Sequence, residues 1–127
     1  MIEVWLGKTA LTVRGHAGFS RYGSDIVCAA ASMLAFALAE AVQAAALKTP
    51  PVIQSGCGGF RLEVSADKRE QARLDGMFET VRAGYRLLSA RYPDYVRVLG
   101  ERDPENKLER PECRPLEGQK EERNGEV

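Results

Sequence analysis

The feature that most constrains the fold is a long apolar, alanine-rich stretch in the first half of the 127-residue chain. Residues 26–39 are apolar except for Ser32. A run of this length is more typical of a buried helix than of a membrane span. Ser24 or Asp25 is placed to cap this helix, and a proline pair ends it at about Leu47. Because the helix is apolar nearly all round, we expect burial on several sides, between a sheet and a second layer such as a dimer partner.

Short segments on both sides of this helix predict β-strands. Apolar residues occupy every second position in 2–6, 11–13 and 60–64, which is typical of strands with one buried face. The segments 52–53 and 95–99 are apolar and predict two further strands. A Gly-Lys-Thr turn at 7–9 joins the first two strands and a glycine-rich turn at 56–59 joins the next two, so each pair is expected to form a hairpin.

A second helix is predicted to begin at Asp67 and to end before Pro93. Its apolar residues recur at alternating spacings of four and three, which places them on one stripe: Leu74, Phe78, Val81, Tyr85 and Leu88. The predicted order is therefore ββαββαβ. It indicates an α+β fold with both helices on one face of a mainly antiparallel sheet.

The charge pattern divides the chain into two parts. Residues 1–100 are long enough for a single domain. They hold twelve Lys and Arg against nine Asp and Glu, which is a modest surplus of positive charge. Residues 101–127 reverse that balance, and fifteen of these 27 residues are charged. Because the second part has few large apolar residues to offset its ordering entropy, it is predicted to be a disordered tail.

One cysteine and the only histidine of the chain lie close together in sequence. Cys28 should sit in the first turn of the apolar helix, and His16 should sit at the end of the second strand. A helix N-terminus and a neighbouring imidazole both favour the thiolate, which is the nucleophilic form of cysteine. A cysteine among alanines is usually only a small core residue, and a lone histidine is usually a surface residue. The pair is nevertheless a candidate catalytic dyad.

Four neighbouring residues have two interpretations each. Asp25 either caps the helix or orients His16, and Ser32 either bonds near the thiol or bonds back to a helix carbonyl. The loop between His16 and the helix carries Phe19 and Tyr22, which either cover a substrate groove or fix the loop to the core.

The same segment resembles a known family. The motif Gly-His-Ala at 15–17, followed by Gly-x-Asp-Ile-Val-Cys-Ala-Ala-x-Ser at 23–32, is similar to that of the bacterial ribosomal-processing cysteine proteases. The resemblance implies an endopeptidase that removes an N-terminal extension from a large-subunit ribosomal protein, cutting after an aromatic residue. No second histidine and no later Asn or Asp stands out as a third member, so a dyad of Cys28 and His16 is expected. The oxyanion donors are then expected to be backbone N–H groups at the helix start.

Other functions remain open at the level of the sequence. The positive surplus of residues 1–100 suggests a non-catalytic ribosome-associated or RNA-contacting module, although no basic and aromatic strand motif supports direct nucleic-acid binding. A thiol redox switch would need Cys57 as the resolving cysteine. With one histidine and three scattered cysteines, a metal site would need Cys57 to fold beside Cys28 and His16, and no cofactor motif is present. The sparse cysteines and the absence of a signal-like N-terminus favour the cytoplasm, and neither feature points to a membrane partner.

Overall fold

The computed structural model describes residues 1–56 and 58–104. Its elements follow the order ββαββαβ, which confirms the predicted α+β fold. Cys57 and most of the predicted tail, residues 105–127, lie outside the described residues.

Five strands form one sheet with the spatial order β3-β4-β2-β1-β5. Their bounds are β1 Ile2–Leu6, β2 Ala10–Arg14, β3 Val52–Gly56, β4 Gly59–Glu63 and β5 Val96–Gly100. Neighbouring strands are antiparallel except β1 and β5, which pair in parallel. The two predicted hairpins are therefore present, and β2 joins them because it pairs with β1 on one side and with β4 on the other.

Two helices cover one face of this sheet. Helix α1 spans Ile26–Ala44 and helix α2 spans Lys68–Arg91. Helix α1 ends three residues before the predicted end at Leu47, because Ala46 adopts a left-handed conformation with a φ of 54°. Helix α2 begins with a capping box between Asp67 and Glu70, which satisfies N–H groups of the first turn.

The core lies between the sheet and the two helices. Every residue of the predicted α2 stripe is buried: Leu74, Phe78, Val81, Tyr85 and Leu88. The helices are joined by a hydrogen bond of 2.8 Å from the Tyr85 hydroxyl to the Ala31 carbonyl oxygen.

Helix α1 buries only one face in the single chain. The core-facing residues are Val27, Ala31, Ala35, Leu38, Ala39 and Val42. On the opposite face Ile26 and Met33 are 58% and 67% exposed. Within one chain the sheet and α2 both pack on the same side of α1, so burial of the other side by a dimer partner stays a prediction. Helix α1 also has the length and hydropathy of a membrane span, a property that core helices share.

The segment after β5 returns to the sheet. Asp103, whose side chain is 7% exposed, forms an ion pair of 2.6 Å with Arg14 at the end of β2. The Arg14 guanidinium lies 4.8 Å from the centre of the Trp5 ring. The first residues that composition assigns to the tail thus contact the folded domain.

Candidate active site

The start of helix α1 positions Cys28. Asp25 is the N-cap residue, and Cys28 lies three positions later, in the first turn. Its side chain is half-buried and carries a free thiol. The only hydrogen bond to the sulfur among the described residues comes from the backbone N–H of Ala17, with a distance of 3.3 Å from N to Sγ.

The Asp25 carboxylate joins the helix to the preceding loop. Its Oδ1 accepts hydrogen bonds of 3.0 Å from the N–H groups of Val27 and Cys28. Its Oδ2 accepts from the N–H groups of Phe19 and Ser20, at 2.9 and 3.1 Å. Desolvation raises the pKa of this buried carboxyl group, but the four amide hydrogen bonds outweigh desolvation and hold the pKa below its ordinary value. The carboxylate is therefore ionised when the site is folded.

His16 lies where strand β2 ends. Gly15 turns the chain there with a φ of +98°, a conformation that favours glycine, and a Cβ at this position would overlap the Met1 carbonyl oxygen. The imidazole is exposed, and it lies against Gly58 in the β3–β4 turn. A Cβ built on Gly58 would stand 3.1 Å from His16 Nε2.

Cys28 and His16 line the same open cavity, whose volume is about 670 Å³. Asp25, Ser32 and Tyr22 line it as well. The structure thus brings together five of the six residues singled out in the sequence. Among the described residues no hydrogen bond joins the imidazole to the thiol, and such catalytic contacts are often loose before substrate binds.

The two loop aromatics have different positions. Phe19 makes edge-to-face contacts with Tyr92 and Tyr95, at centroid distances of 5.5 and 5.2 Å, and so fixes the loop to the end of α2. Tyr22 is 79% exposed and faces the cavity. Phe19 therefore fits the interpretation that it fixes the loop to the core, and Tyr22 fits the interpretation that it lies over a substrate groove. Ser32 is exposed one helical turn after the cysteine, and within the described part of the chain its hydroxyl makes no hydrogen bond.

Three of the helix-start amides that were predicted as oxyanion donors already have partners. The N–H groups of Val27 and Cys28 are engaged by the Asp25 carboxylate, and that of Ala29 donates to the Asp25 carbonyl oxygen at 3.0 Å. The expectation overlooked that the capping side chain competes for these donors. The amide that reaches the sulfur belongs instead to Ala17, in the loop.

Sequence reasoning also missed the apolar floor of the cavity. Phe36 and Phe60 line it in an edge-to-face pair with centroids 5.5 Å apart. Phe36 follows Cys28 by eight positions, so helical spacing alone places both on one side of α1. The contribution of Phe60 and of Gly58 depends on the pairing of distant strands, for which the sequence carries no local signal.

The donor set of the site does not suggest a metal centre. Among residues 1–56 and 58–104, no group of three or more His, Cys, Asp or Glu side chains is arranged to hold a metal ion. The redox hypothesis depends on Cys57, which the structure does not describe.

Solved structures with a similar fold are known. The S. aureus ribosomal processing protease Prp, solved with a covalently linked product peptide, is similar over 79% of this chain and 97% of its own. Its TM-score is 0.64 and its identity 23%. The structure of SMU.848 from Streptococcus mutans is similar over 79% of this chain and 91% of its own, with a TM-score of 0.61 and 25% identity. No curated protein matches the chain in sequence.

The chain also matches a family model in sequence. The family model of the cysteine protease Prp matches residues 1–97, which include every residue of the cavity. The match confirms the family resemblance of the segment from His16 to Ser32, and it ends before the charged C-terminal residues begin. The chain belongs to the Prp family of cysteine proteases and is a cysteine peptidase.

Proposed function

We propose that the chain is an endopeptidase whose nucleophile is Cys28 and whose general base is His16. The observation that carries this proposal is that both side chains line one open cavity in a chain with a single histidine. A cysteine peptidase needs a thiol that substrate can reach and a base beside it. Family membership favours this function over the non-catalytic ribosome-associated or RNA-contacting module.

The proposed mechanism follows from the two groups. His16 takes the thiol proton, and the Cys28 sulfur attacks the peptide carbonyl carbon to form a tetrahedral intermediate. The intermediate collapses to a thioester while His16 gives its proton to the leaving amine. Water then hydrolyses the thioester with His16 as base, which releases the acid product and restores the thiol. No cofactor is needed for these steps.

We further propose that the substrate is the N-terminal extension of a bacterial large-subunit ribosomal protein. Three observations support it: the family match, the peptide-bound S. aureus relative and the aromatic floor of the cavity. A pocket lined by Phe36 and Phe60 suits an aromatic side chain before the cut, because edge-to-face pairs add about 0.5–1.5 kcal/mol to burial. Such a substrate is made in the cytoplasm, where the thiol stays reduced.

Cleavage of a precursor peptide tests the catalytic proposal. The purified chain should cut a synthetic extension after its aromatic residue, and mass spectrometry identifies the two fragments. The variants Cys28→Ser and His16→Ala should each lose at least 1,000-fold in rate, since the dyad acts as a unit. Cys113→Ser is the matched cysteine control and should cut normally. Full cleavage by Cys28→Ser, with an unchanged melting curve, would refute the proposal.

The aromatic preference has its own test. Replacing the aromatic residue of the peptide by alanine should lower kcat/KM, and Phe36→Ala should lower it about 3- to 10-fold for the aromatic peptide only. Leu87→Ala, an equally exposed change on helix α2 outside the cavity, is the control. Equal cleavage of both peptides would exclude Phe36 and Phe60 as the specificity pocket.

We also propose a homodimer that covers the outer face of helix α1. The exposed side chains of Ile26 and Met33 support it, since exposed apolar side chains of this kind are typical of interaction sites. Light scattering on the purified chain should give twice the mass of one chain, and Met33→Lys should give a monomer. Leu87→Lys is the control. A monomeric wild-type chain would remove this part of the proposal.

A further inference from the structure

Three backbone N–H groups at the start of helix α1 already have partners. Asp25 holds the N–H groups of Val27 and Cys28 with one carboxylate oxygen and that of Ala29 with its carbonyl. Hydrogen bonds to an ionised carboxylate are strong, so a substrate oxygen would have to displace Asp25 to use the amides of Val27 and Cys28. A donor outside these amides would stabilise the developing negative charge without that displacement.

The amide of Ala17 is already beside the reacting atom. It donates to Cys28 Sγ at 3.3 Å, and Ala17 itself is only 4% exposed. In the tetrahedral intermediate the oxyanion sits on the carbon bonded to this sulfur, so it forms within reach of a donor that touches the sulfur. A donor aimed there before reaction needs no reorganisation when the charge develops.

The Ala17 amide is held from both sides. On one side Gly15 donates its N–H to the Gly58 carbonyl oxygen at 2.8 Å, which fixes the end of β2. On the other side the amides of Phe19 and Ser20 are bound by the Asp25 carboxylate. The donor is therefore fixed relative to helix α1 although it lies in a loop.

We propose that the backbone N–H of Ala17 is the oxyanion donor of this peptidase. It bonds the Cys28 sulfur in the free enzyme and transfers to the substrate oxygen when the S–C bond forms. When the thioester forms, the C–N bond breaks, the oxygen returns to a carbonyl and the amide returns to the sulfur. This role rests on the proposed function of Cys28, and it assigns Asp25 as a positioning residue that acts through the loop.

The position of Cys28 allows a direct test by chemical ligation. A synthetic segment 1–27 that carries an ester in place of the Ala17 amide is joined to residues 28–127 at Cys28. The ester removes only the N–H, so kcat should fall about 100- to 1,000-fold. Alkylation of Cys28 by iodoacetamide should change only a few-fold, because that reaction forms no oxyanion. The controls are the all-amide chain from the same ligation and an ester at Lys8, in the β1–β2 turn.

A peptide aldehyde supplies a second measurement, because the thiol adds to its carbonyl and leaves an oxyanion-like oxygen in the hemithioacetal. Its inhibition constant should rise by the factor by which kcat/KM falls. In the intact wild-type chain, the ¹⁵N–¹H signal of Ala17 should move downfield when the aldehyde binds. An Ala17 ester chain that cleaves normally, or an Ala17 signal that does not move, would overturn the inference. Cleavage by Cys28→Ser would instead refute the proposed function.

Discussion

At the scale of single residues, one carboxylate and two glycines hold the backbone segments that carry Cys28 and His16. Asp25 bonds four backbone amides in two separate segments. Gly15 and Gly58 allow the chain to bring His16 to the cavity edge. Their effects can be separated from those of Cys28 because none of the three takes part in bond making.

The variant Asp25→Asn should weaken the link between loop and helix. Its amide oxygen can still accept from Val27 and Cys28, but its NH₂ group then faces the donors of Phe19 and Ser20. We expect lower kcat/KM for the peptide and a lower melting temperature, both smaller effects than for Asp25→Ala. Steady-state kinetics and thermal melts measure them. Equal values for Asp25→Asn and the wild type would show that the loop is held by other contacts.

The same residue predicts a dependence of stability on pH. The pKa of Asp25 is lower in the folded state than its ordinary value of 3.8, so its contribution is complete above that value. The contribution is lost as the pH falls through the lower, folded-state pKa. Urea unfolding of the wild type and Asp25→Asn should show a constant difference between about pH 5 and 8 and a shrinking one below pH 4. A difference that grows toward low pH would contradict the sign of the shift.

Gly58 predicts a coupled loss of stability and activity. Gly58→Ala places a methyl group 3.1 Å from His16 Nε2 and holds a non-glycine residue at a φ of +69°. The backbone strain should cost about 1–2 kcal/mol in unfolding free energy, and displacement of the imidazole should lower kcat. Gly76→Ala, in helix α2 with open space around a Cβ, is the matched control and should stabilise by about 0.5–1 kcal/mol. Unchanged kcat in Gly58→Ala would show that His16 does not depend on this contact.

At the scale of elements, local patterns predicted what local forces decide. The period-two strands, the stripe of α2 and the Asp25 cap are present, because each follows from the preferences of neighbouring residues. The parallel pairing of β1 with β5, and the approach of Gly58 to His16, depend on segments far apart in the chain. The bonds from the Val27 and Cys28 amides to Asp25 follow from the predicted cap, whereas those from Phe19 and Ser20 depend on the fold of the loop.

The contact between the two helices gives a prediction of its own. Tyr85→Phe removes the hydroxyl that donates to the Ala31 carbonyl, so unfolding free energy should fall by about 1 kcal/mol in urea at neutral pH. Burial raises the pKa of Tyr85, so this contribution is complete below the ordinary tyrosine value of 10.0 and declines above it. Tyr22→Phe, at an exposed position, should leave stability unchanged. A loss at Tyr22 equal to that at Tyr85 would contradict the assignment.

At the scale of the whole molecule, the chain is a family domain followed by a charged segment that the family model does not match. The first residues of this segment contact the domain through the ion pair between Asp103 and Arg14. Ending the chain at residue 104 should leave the melting temperature unchanged. Ending it at residue 100 should lower the unfolding free energy by about 1 kcal/mol, because the ion pair between Asp103 and Arg14 is lost. Equal stability of the two truncated chains, measured by calorimetry, would show that the ion pair contributes nothing.

The most direct test of the account is to find the covalent intermediate on the proposed nucleophile. Tryptic digestion releases residues 22–48, a peptide whose only cysteine is Cys28. After brief reaction with the precursor peptide and an acid quench, mass spectrometry should find this fragment carrying the N-terminal product as a thioester. His16→Ala should carry none. Cleavage that proceeds with no adduct on residues 22–48, or an adduct on another residue, would contradict the central claim that Cys28 attacks the peptide bond.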